Sequence, residues 1–90
     1  MTICRRFTVS GHVQGVFYRQ STLQTAKDLH LRGWVKNLAN GDVEVVAQGD
    51  EATLHALQDW LWKGPTAAKV KGVVFDEVDL ECPPGFEIRY

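Results

Sequence analysis

The segment from Gly11 to Arg19 carries residue types that are suited to holding a small anion. Gly11 and Gly15 allow successive backbone N–H groups to turn inward and form a concave anion nest. The helix predicted to begin near Tyr18 adds unsatisfied N–H groups and about half a positive charge at its N-terminus. The pattern therefore indicates a phosphate-sized site that is built largely from the backbone.

Arg19 is predicted to lie in the first helical turn, where the helix dipole disfavours a cation by about 0.3–1 kcal/mol. The residues from Gln20 to Gln24 include no Asp or Glu that could balance this charge. Two interpretations fit: Arg19 is an exposed arginine that pairs with a distant acid or with water, or its counterion is a ligand. The planar guanidinium matches phosphate oxygens two at a time, which is what the second interpretation needs.

Asn37 is the second candidate for chemistry, and it precedes the turn signal Asn40-Gly41. An amide side chain can accept a hydrogen bond from water while its NH₂ group donates to phosphate. An Asn near the end of a hairpin also fits a local turn hydrogen bond, so residue type alone leaves both roles open. Asn40-Gly41 itself predicts a type I′ turn.

Charge is unevenly distributed along the 90 residues, although the net charge is only −1. Residues 1–27 contain four basic side chains and no acidic one, whereas residues 28–90 contain six basic and eleven acidic side chains. This asymmetry indicates a small anion as the ligand of the acid-free end and argues against a nucleic-acid partner.

The sequence offers little support for a metal site, a membrane span or secretion. Cys4, Cys82 and three scattered histidines lack the spacing of a zinc site, so neither a metal ion nor a cofactor is expected. Apolar runs fall far short of the roughly 20 residues that a membrane span requires. The N-terminus also lacks a secretory leader, so we expect a cytoplasmic protein with no membrane partner.

Periodicity predicts two helices and five strands in the order β-α-β-β-α-β plus a short C-terminal strand. The predicted strands are Ile3–Ser10, Trp34–Leu38, Val43–Gln48, Val70–Leu80 and Phe86–Tyr90, and the helices are Tyr18–His30 and a second one capped by Asp50 and ended by Gly64-Pro65. This order predicts an α+β, ferredoxin-like split βαβ sandwich, with two helices on one face of an antiparallel sheet. The length favours a single domain over residues 1–90, and a monomer.

Two stretches resemble signatures of the acylphosphatase family: Gly11-x-Val13-Gln14-Gly15-Val16-x-x-Arg19, and the run Gly33-Trp34-Val35-Lys36-Asn37-Leu38-Ala39-Asn40-Gly41-Asp42-Val43. The resemblance implies metal-independent hydrolysis of small acyl phosphates to a carboxylate and inorganic phosphate, with phosphate also acting as an inhibitor. It implies that the attacking water is oriented by Asn37. It further implies a substrate phosphate held by the residues Gln14, Gly15, Val16, Phe17, Tyr18 and Arg19.

The sequence departs from this family at two positions. Tyr18 replaces the usual Phe and adds a hydroxyl group that affects either packing or substrate access. His30 stands where Gly commonly ends the first helix, so we expect it in the left-handed region at some cost in stability. The fold also predicts that Cys4 and Cys82 lie near each other, which permits a disulfide, although cytosolic thiols are usually reduced.

Three alternative functions are considered. An RNA-recognition module of the same βαββαβ class would need paired aromatic residues on its central strands, and the run from Val43 to Gln48 has none. A phosphate-loop domain for carbamoyl phosphate within a larger maturation enzyme would need further domains, whereas this chain ends at Tyr90. The third is a catalytically inactive homologue that binds an anion.

Overall fold

The computed structural model describes residues 2–90. Its elements follow the predicted order: β1 (Ile3–His12), α1 (Tyr18–Asp28), β2 (Arg32–Asn37), β3 (Val43–Gly49), α2 (Glu51–Lys63), β4 (Lys69–Glu77) and β5 (Phe86–Arg89). The strands form one sheet in the order β4-β1-β3-β2-β5. The helices pack on one face of this sheet, where they share a core with side chains from all five strands. The predicted ferredoxin-like α+β fold is therefore confirmed.

The direction of β5 differs from the antiparallel sheet that the sequence predicts. β1 pairs antiparallel with β3 and β4, and β2 pairs antiparallel with β3. β5 instead lies parallel to β2, with Gly33 opposite Phe86 and Val35 opposite Ile88. The four longer strands are antiparallel, and the short fifth strand makes the sheet mixed.

Strand direction brings distant parts of the chain to one edge of the sheet. β1 and β2 are both antiparallel to β3, so they run in the same direction, and β5 runs with them. The ends of these three strands, at His12, Asn37 and Arg89, therefore lie at the same edge. α1 begins there too, because it follows β1 after the five-residue loop 13–17.

β1 is longer than predicted, and β4 is shorter. A register shift between Ser10 and Gly11 lets β1 continue to His12, which pairs with Lys69. The first two residues of the predicted loop are therefore part of the strand. β4 ends at Glu77 because the following segment crosses the open face of the sheet, where Cys82 packs with Trp34 and Val46.

The hairpin between β2 and β3 does not form the predicted type I′ turn. Leu38 N–H donates to the Asp42 carbonyl at 2.8 Å, and Gly41 N–H donates to the Leu38 carbonyl at 3.2 Å. Within residues 2–90, positive φ is found in this turn only at Gly41, whereas a type I′ turn requires it at two central residues. Asn40 instead accepts a hydrogen bond from Asp42 N–H through its side chain, within the five-residue connection 38–42.

α1 ends two residues earlier than predicted, at Asp28, in a Schellman motif. The N–H groups of His30 and Leu31 donate to the carbonyls of Lys27 and Ala26. His30 has φ 57°, which confirms the predicted left-handed conformation. Neither helix of residues 2–90 has the length and apolar character needed to cross a bilayer.

Candidate active site

The loop between β1 and α1 has the backbone geometry of an anion nest. Gly15 and Phe17 both adopt left-handed conformations, with φ values of 76° and 62°. Left-handed residues within a tight loop turn neighbouring N–H groups toward a common point. Phe17 is the N-cap of α1, and its conformation costs a non-glycine residue about 1–2 kcal/mol. Backbone strain of this size is concentrated at functional sites.

The N-terminus of α1 lacks the groups that neutralise the same end of α2. The Asp50 side chain caps α2 by accepting a hydrogen bond from Thr53 N–H at 2.8 Å, and Glu51 lies in its first turn. α1 has neither a side-chain cap nor an acidic residue in its first turn. In the part of the chain from 2 to 90, the N–H groups of residues 14–20 donate no hydrogen bond. These donors and the positive end of the helix dipole suit an anionic ligand.

Arg19 has no carboxylate partner among residues 2–90, so the distant acid that the sequence left open is not found. No ion pair among residues 2–90 includes Arg19, and its guanidinium carbon lies 5.0 Å from the centre of the Tyr90 ring. Arg5 and Arg6, by contrast, pair with acidic residues: Arg5 with Glu51 and Glu77, and Arg6 with Asp76. The acid-free segment therefore supplies this site with Arg19, and not with a cluster of cations.

Asn37 offers a buried acceptor that the rest of the protein leaves unused. Its Oδ1 atom is inaccessible and has no hydrogen-bond partner within residues 2–90. An unsatisfied buried polar group of this kind costs about 1–3 kcal/mol. The side-chain turn hydrogen bond of this hairpin is made by Asn40, so a turn role does not account for Asn37 Oδ1.

A pocket of about 270 Å³ brings the two candidates together. Its wall is formed by the residues Val13, Gly15, Phe17, Tyr18, Arg19, Gln20, Asn37, Ile88 and Tyr90. Sequence reasoning missed Ile88 and Tyr90 as site residues. The signal available was their place at the end of the last strand, whose pairing beside β2 directs them to the same sheet edge as Asn37. His12, at the end of β1, is exposed and lies outside the pocket wall.

Three of the predicted phosphate-binding residues have side chains committed elsewhere. The Gln14 amide donates to two carbonyls of the β2–β3 hairpin, and Val16 is buried in the core. Tyr18 is also buried, and its hydroxyl donates to the Leu61 carbonyl at 2.6 Å, so the departure from Phe acts on packing. These three residues can serve a phosphate only through their backbone N–H groups.

The pocket can bind and position an anion but contains no side chain suited to proton transfer near neutral pH. Its wall has no His, Asp, Glu, Lys or Cys. Within residues 2–90, no three His, Cys, Asp or Glu side chains come together in a group that could hold a metal ion. Such a site suits a reaction in which orientation and charge stabilisation are sufficient.

Known proteins are similar to this chain in both sequence and fold. This chain is 48% identical over 86 residues to an acylphosphatase of Coxiella burnetii (strain RSA 493 / Nine Mile phase I), covering 96% of this chain and 90% of the relative. It is 44% identical over 89 residues to an acylphosphatase of Nitrosococcus oceani, covering 99% of this chain and 100% of the relative. The crystal structure of an acylphosphatase from Bacillus subtilis superposes with a TM-score of 0.93 at 35% identity, and both chains are covered completely. A sequence model of the acylphosphatase family matches residues 5–88, and the chain belongs to that family.

Proposed function

We propose that this protein hydrolyses the carboxyl–phosphate bond of small acyl phosphates and needs no metal ion to do so. The products are a carboxylate and inorganic phosphate. One observation carries the proposal: within residues 2–90, loop residues whose N–H groups donate no hydrogen bond line the same pocket as Asn37 and as Arg19, which has no carboxylate partner. The names of the relatives support the same activity.

The loop amides and Arg19 bind the phosphoryl group in this mechanism. Phosphoryl transfer passes through a loose transition state whose charge is spread over three equatorial oxygens. The N–H groups of residues 14–19 and the guanidinium of Arg19 donate to those oxygens, and Arg19 can bind two of them at once. Because the donors are already oriented, little reorganisation is needed as the charge shifts.

Asn37 orients the attacking water. Asn37 lines the pocket, and its side-chain amide hydrogen-bonds to the water and holds an oxygen lone pair toward phosphorus and in line with the leaving carboxylate. The water oxygen forms the new bond to phosphorus as the bond to the acyl oxygen breaks. A proton from the water passes to a phosphate oxygen. The carboxylate leaves with the bonding electron pair and without protonation, so the reaction needs no general acid.

Apolar side chains that line the pocket suit the acyl group. Phe17 is exposed at the mouth of the pocket, and Ile88 and Tyr90 line it from the end of β5. These contacts are apolar and of limited extent, so they fit a small acyl group better than a large polar one.

Hydrolysis of benzoyl phosphate in excess EDTA tests the proposal. We expect turnover that EDTA does not change and that inorganic phosphate inhibits competitively. Phenyl phosphate is the matched control, because phenoxide is a much more basic leaving group than benzoate and its departure benefits from a general acid. Loss of activity in EDTA, or failure of phosphate to compete, would contradict the mechanism. An inactive protein that binds phosphate at Arg19 would instead be an anion-binding module.

The expected single domain, monomeric state and cytoplasmic location stay predictions that rest on the sequence. Light scattering across a range of protein concentrations would test the monomer. Fractionation of cells of the source organism would test the location. Limited proteolysis would test the domain, because one folded unit over residues 1–90 should resist internal cleavage.

A further inference from the structure

The side chain of Gln14 connects the loop 13–17, which we call the phosphate loop, to the β2–β3 hairpin. Its Nε2 atom donates two hydrogen bonds of 2.9 Å, one to the carbonyl of Leu38 and one to the carbonyl of Asp42. These two residues flank the turn, Leu38 before it and Asp42 after it, and we call this pair the neck of the hairpin. A single amide group therefore contacts both strands of the hairpin.

Both acceptors are already part of the turn. The Asp42 carbonyl accepts from Leu38 N–H, and the Leu38 carbonyl accepts from Gly41 N–H. Gln14 adds a second hydrogen bond to each, using the two N–H bonds of its NH₂ group. The turn therefore has hydrogen bonds of its own, and those from Gln14 connect it to the loop before α1.

These contacts hold the hairpin at a set distance from the phosphate loop. Asn37 immediately precedes Leu38 and pairs with Val43, the residue that follows Asp42. A shift of the neck relative to Gln14 therefore shifts Asn37 relative to Gly15 and Arg19, which line the same pocket.

We propose that Gln14 is a positioning residue for the reaction, acting through Asn37. The inference rests on the proposed function, because it gives Gln14 a part in orienting the water that Asn37 holds. The phosphate is still held by the loop amides and Arg19. Removing the two side-chain hydrogen bonds should therefore impair turnover and leave phosphate affinity in place.

Gln14→Met tests the inference, because Met has a similar length and no N–H donor. A misplacement of about 1 Å can lower a rate by about 10²-fold, so we expect kcat for benzoyl phosphate to fall about 10- to 100-fold. KM and the Kd of inorganic phosphate should stay within about twofold of the wild-type values. Gln24→Met is the matched control, because Gln24 is exposed on α1 and contacts only Asp28 through its side chain. The control should have wild-type kinetics.

A double-mutant cycle with Asn37→Ala separates positioning from a general loss of structure. If Gln14 acts through Asn37, Gln14→Met should change kcat by less than about twofold once Asn37 is alanine. An equal fall in both backgrounds would overturn the inference. So would wild-type kcat in Gln14→Met, or a parallel loss of phosphate affinity.

Gln14→Glu provides a second variant of the same shape in case Gln14→Met does not fold. Its carboxylate faces two carbonyl oxygens and repels them, so we expect a larger fall in kcat than in Gln14→Met. Equal kcat in Gln14→Glu and the wild type would also overturn the inference. An inactive wild type would remove the proposed function together with this inference. An active wild type with unaffected Gln14 variants would remove only the inference.

Discussion

The hydroxyl of Tyr18, at the start of α1, donates a 2.6 Å hydrogen bond to the carbonyl of Leu61, in the last turn of α2. The carbonyls of a last helical turn lack partners within their own helix, so this bond satisfies one of them. The Tyr18 ring also packs against Trp60, with 5.7 Å between the ring centres. Burial raises the pKa of Tyr18 well above its usual range, which keeps the hydroxyl protonated as a donor. The two helices are therefore joined by a polar contact inside an otherwise apolar layer.

Tyr18→Phe should lower stability, because the Leu61 carbonyl would be left buried without this donor. We expect the free energy of unfolding to fall by about 1 kcal/mol, the usual net value of one hydrogen bond. Urea unfolding followed by tryptophan fluorescence would measure the change. An unchanged midpoint would mean that water replaces the hydroxyl at no cost.

Arg19→Ala should nearly abolish hydrolysis and weaken phosphate binding, because Arg19 is the cation of the pocket wall. Loss of one preorganised donor commonly lowers kcat by about 10²–10³-fold. Arg19→Lys should recover little of the activity, since lysine cannot bind two phosphate oxygens in a planar fork. Thermal melts with and without phosphate report binding separately. Phosphate should raise the Tm of the wild type and leave that of Arg19→Ala nearly unchanged. Full activity in Arg19→Lys would show that charge alone is sufficient.

Asn37→Ala should impair catalysis and leave phosphate binding in place, unlike Arg19→Ala, which should impair both. The amide is proposed to hold water and not the substrate, so kcat should fall by about 10²-fold. The phosphate Kd should be close to that of the wild type. Removing an unsatisfied buried acceptor should also leave stability equal or slightly higher. A large increase in the phosphate Kd would place Asn37 among the phosphate ligands instead.

His30→Gly should stabilise the protein, because His30 has a left-handed conformation that glycine adopts without steric cost. The gain is reduced by the greater freedom of glycine in the unfolded chain. We expect a net increase of about 0.5–1 kcal/mol in the free energy of unfolding. His30→Ala is the control: alanine keeps the β-carbon and should give no such gain. Equal stability of the two variants would contradict this account.

Cys4 and Cys82 should form a disulfide when treated with a low-molecular-weight disulfide. Their sulfur atoms are 3.8 Å apart, so the predicted proximity is confirmed, and both are free thiols. Burial and the neighbouring Cys4 raise the pKa of Cys82 to about 11, so we expect Cys4 to react first and the exchange to be slow at neutral pH. The cross-link should stabilise the protein by about 2–4 kcal/mol, because it closes a long loop in the unfolded chain. Loss of two hydrogen atoms by mass spectrometry and a higher Tm would show this, with Cys4→Ser as the control. A cross-linked form with lower stability would show that the bridge strains the sheet.

Much of the fold was predictable because its signals are local. Alternation along β1, the Asp50 cap of α2 and the Gly64 stop depend on neighbouring residues, and all three appear in the structure. The presence of a loop before α1 was predictable for the same reason, and its binding of an anion stays a prediction. The prediction of a type I′ turn was wrong. The Asn40 side chain accepts a hydrogen bond from Asp42 N–H, and within residues 2–90 only Gly41 of this turn is left-handed.

Features that depend on pairing between distant segments could not be derived from such signals. The parallel pairing of β5 with β2 joins residues more than 50 positions apart, and no local pattern specifies its direction. For the same reason, the places of Ile88 and Tyr90 in the pocket were not predicted. The bridge from Gln14 to the hairpin carbonyls was also missed, since the motif suggested backbone contacts to phosphate and not a side-chain contact to the next hairpin.

β5 follows all the other elements in sequence order, and this order has a consequence for synthesis on the ribosome. A domain emerges from its N-terminus, and contacts between distant segments form late because the intervening loop must first close. Arg19 and Asn37 belong to segments that emerge early, but the pocket wall is incomplete until Ile88 and Tyr90 are free to dock beside β2 and α1. A nascent chain stalled before β5 should therefore lack the complete pocket. Recovery of phosphate binding after release would mark the moment at which the last strand has docked.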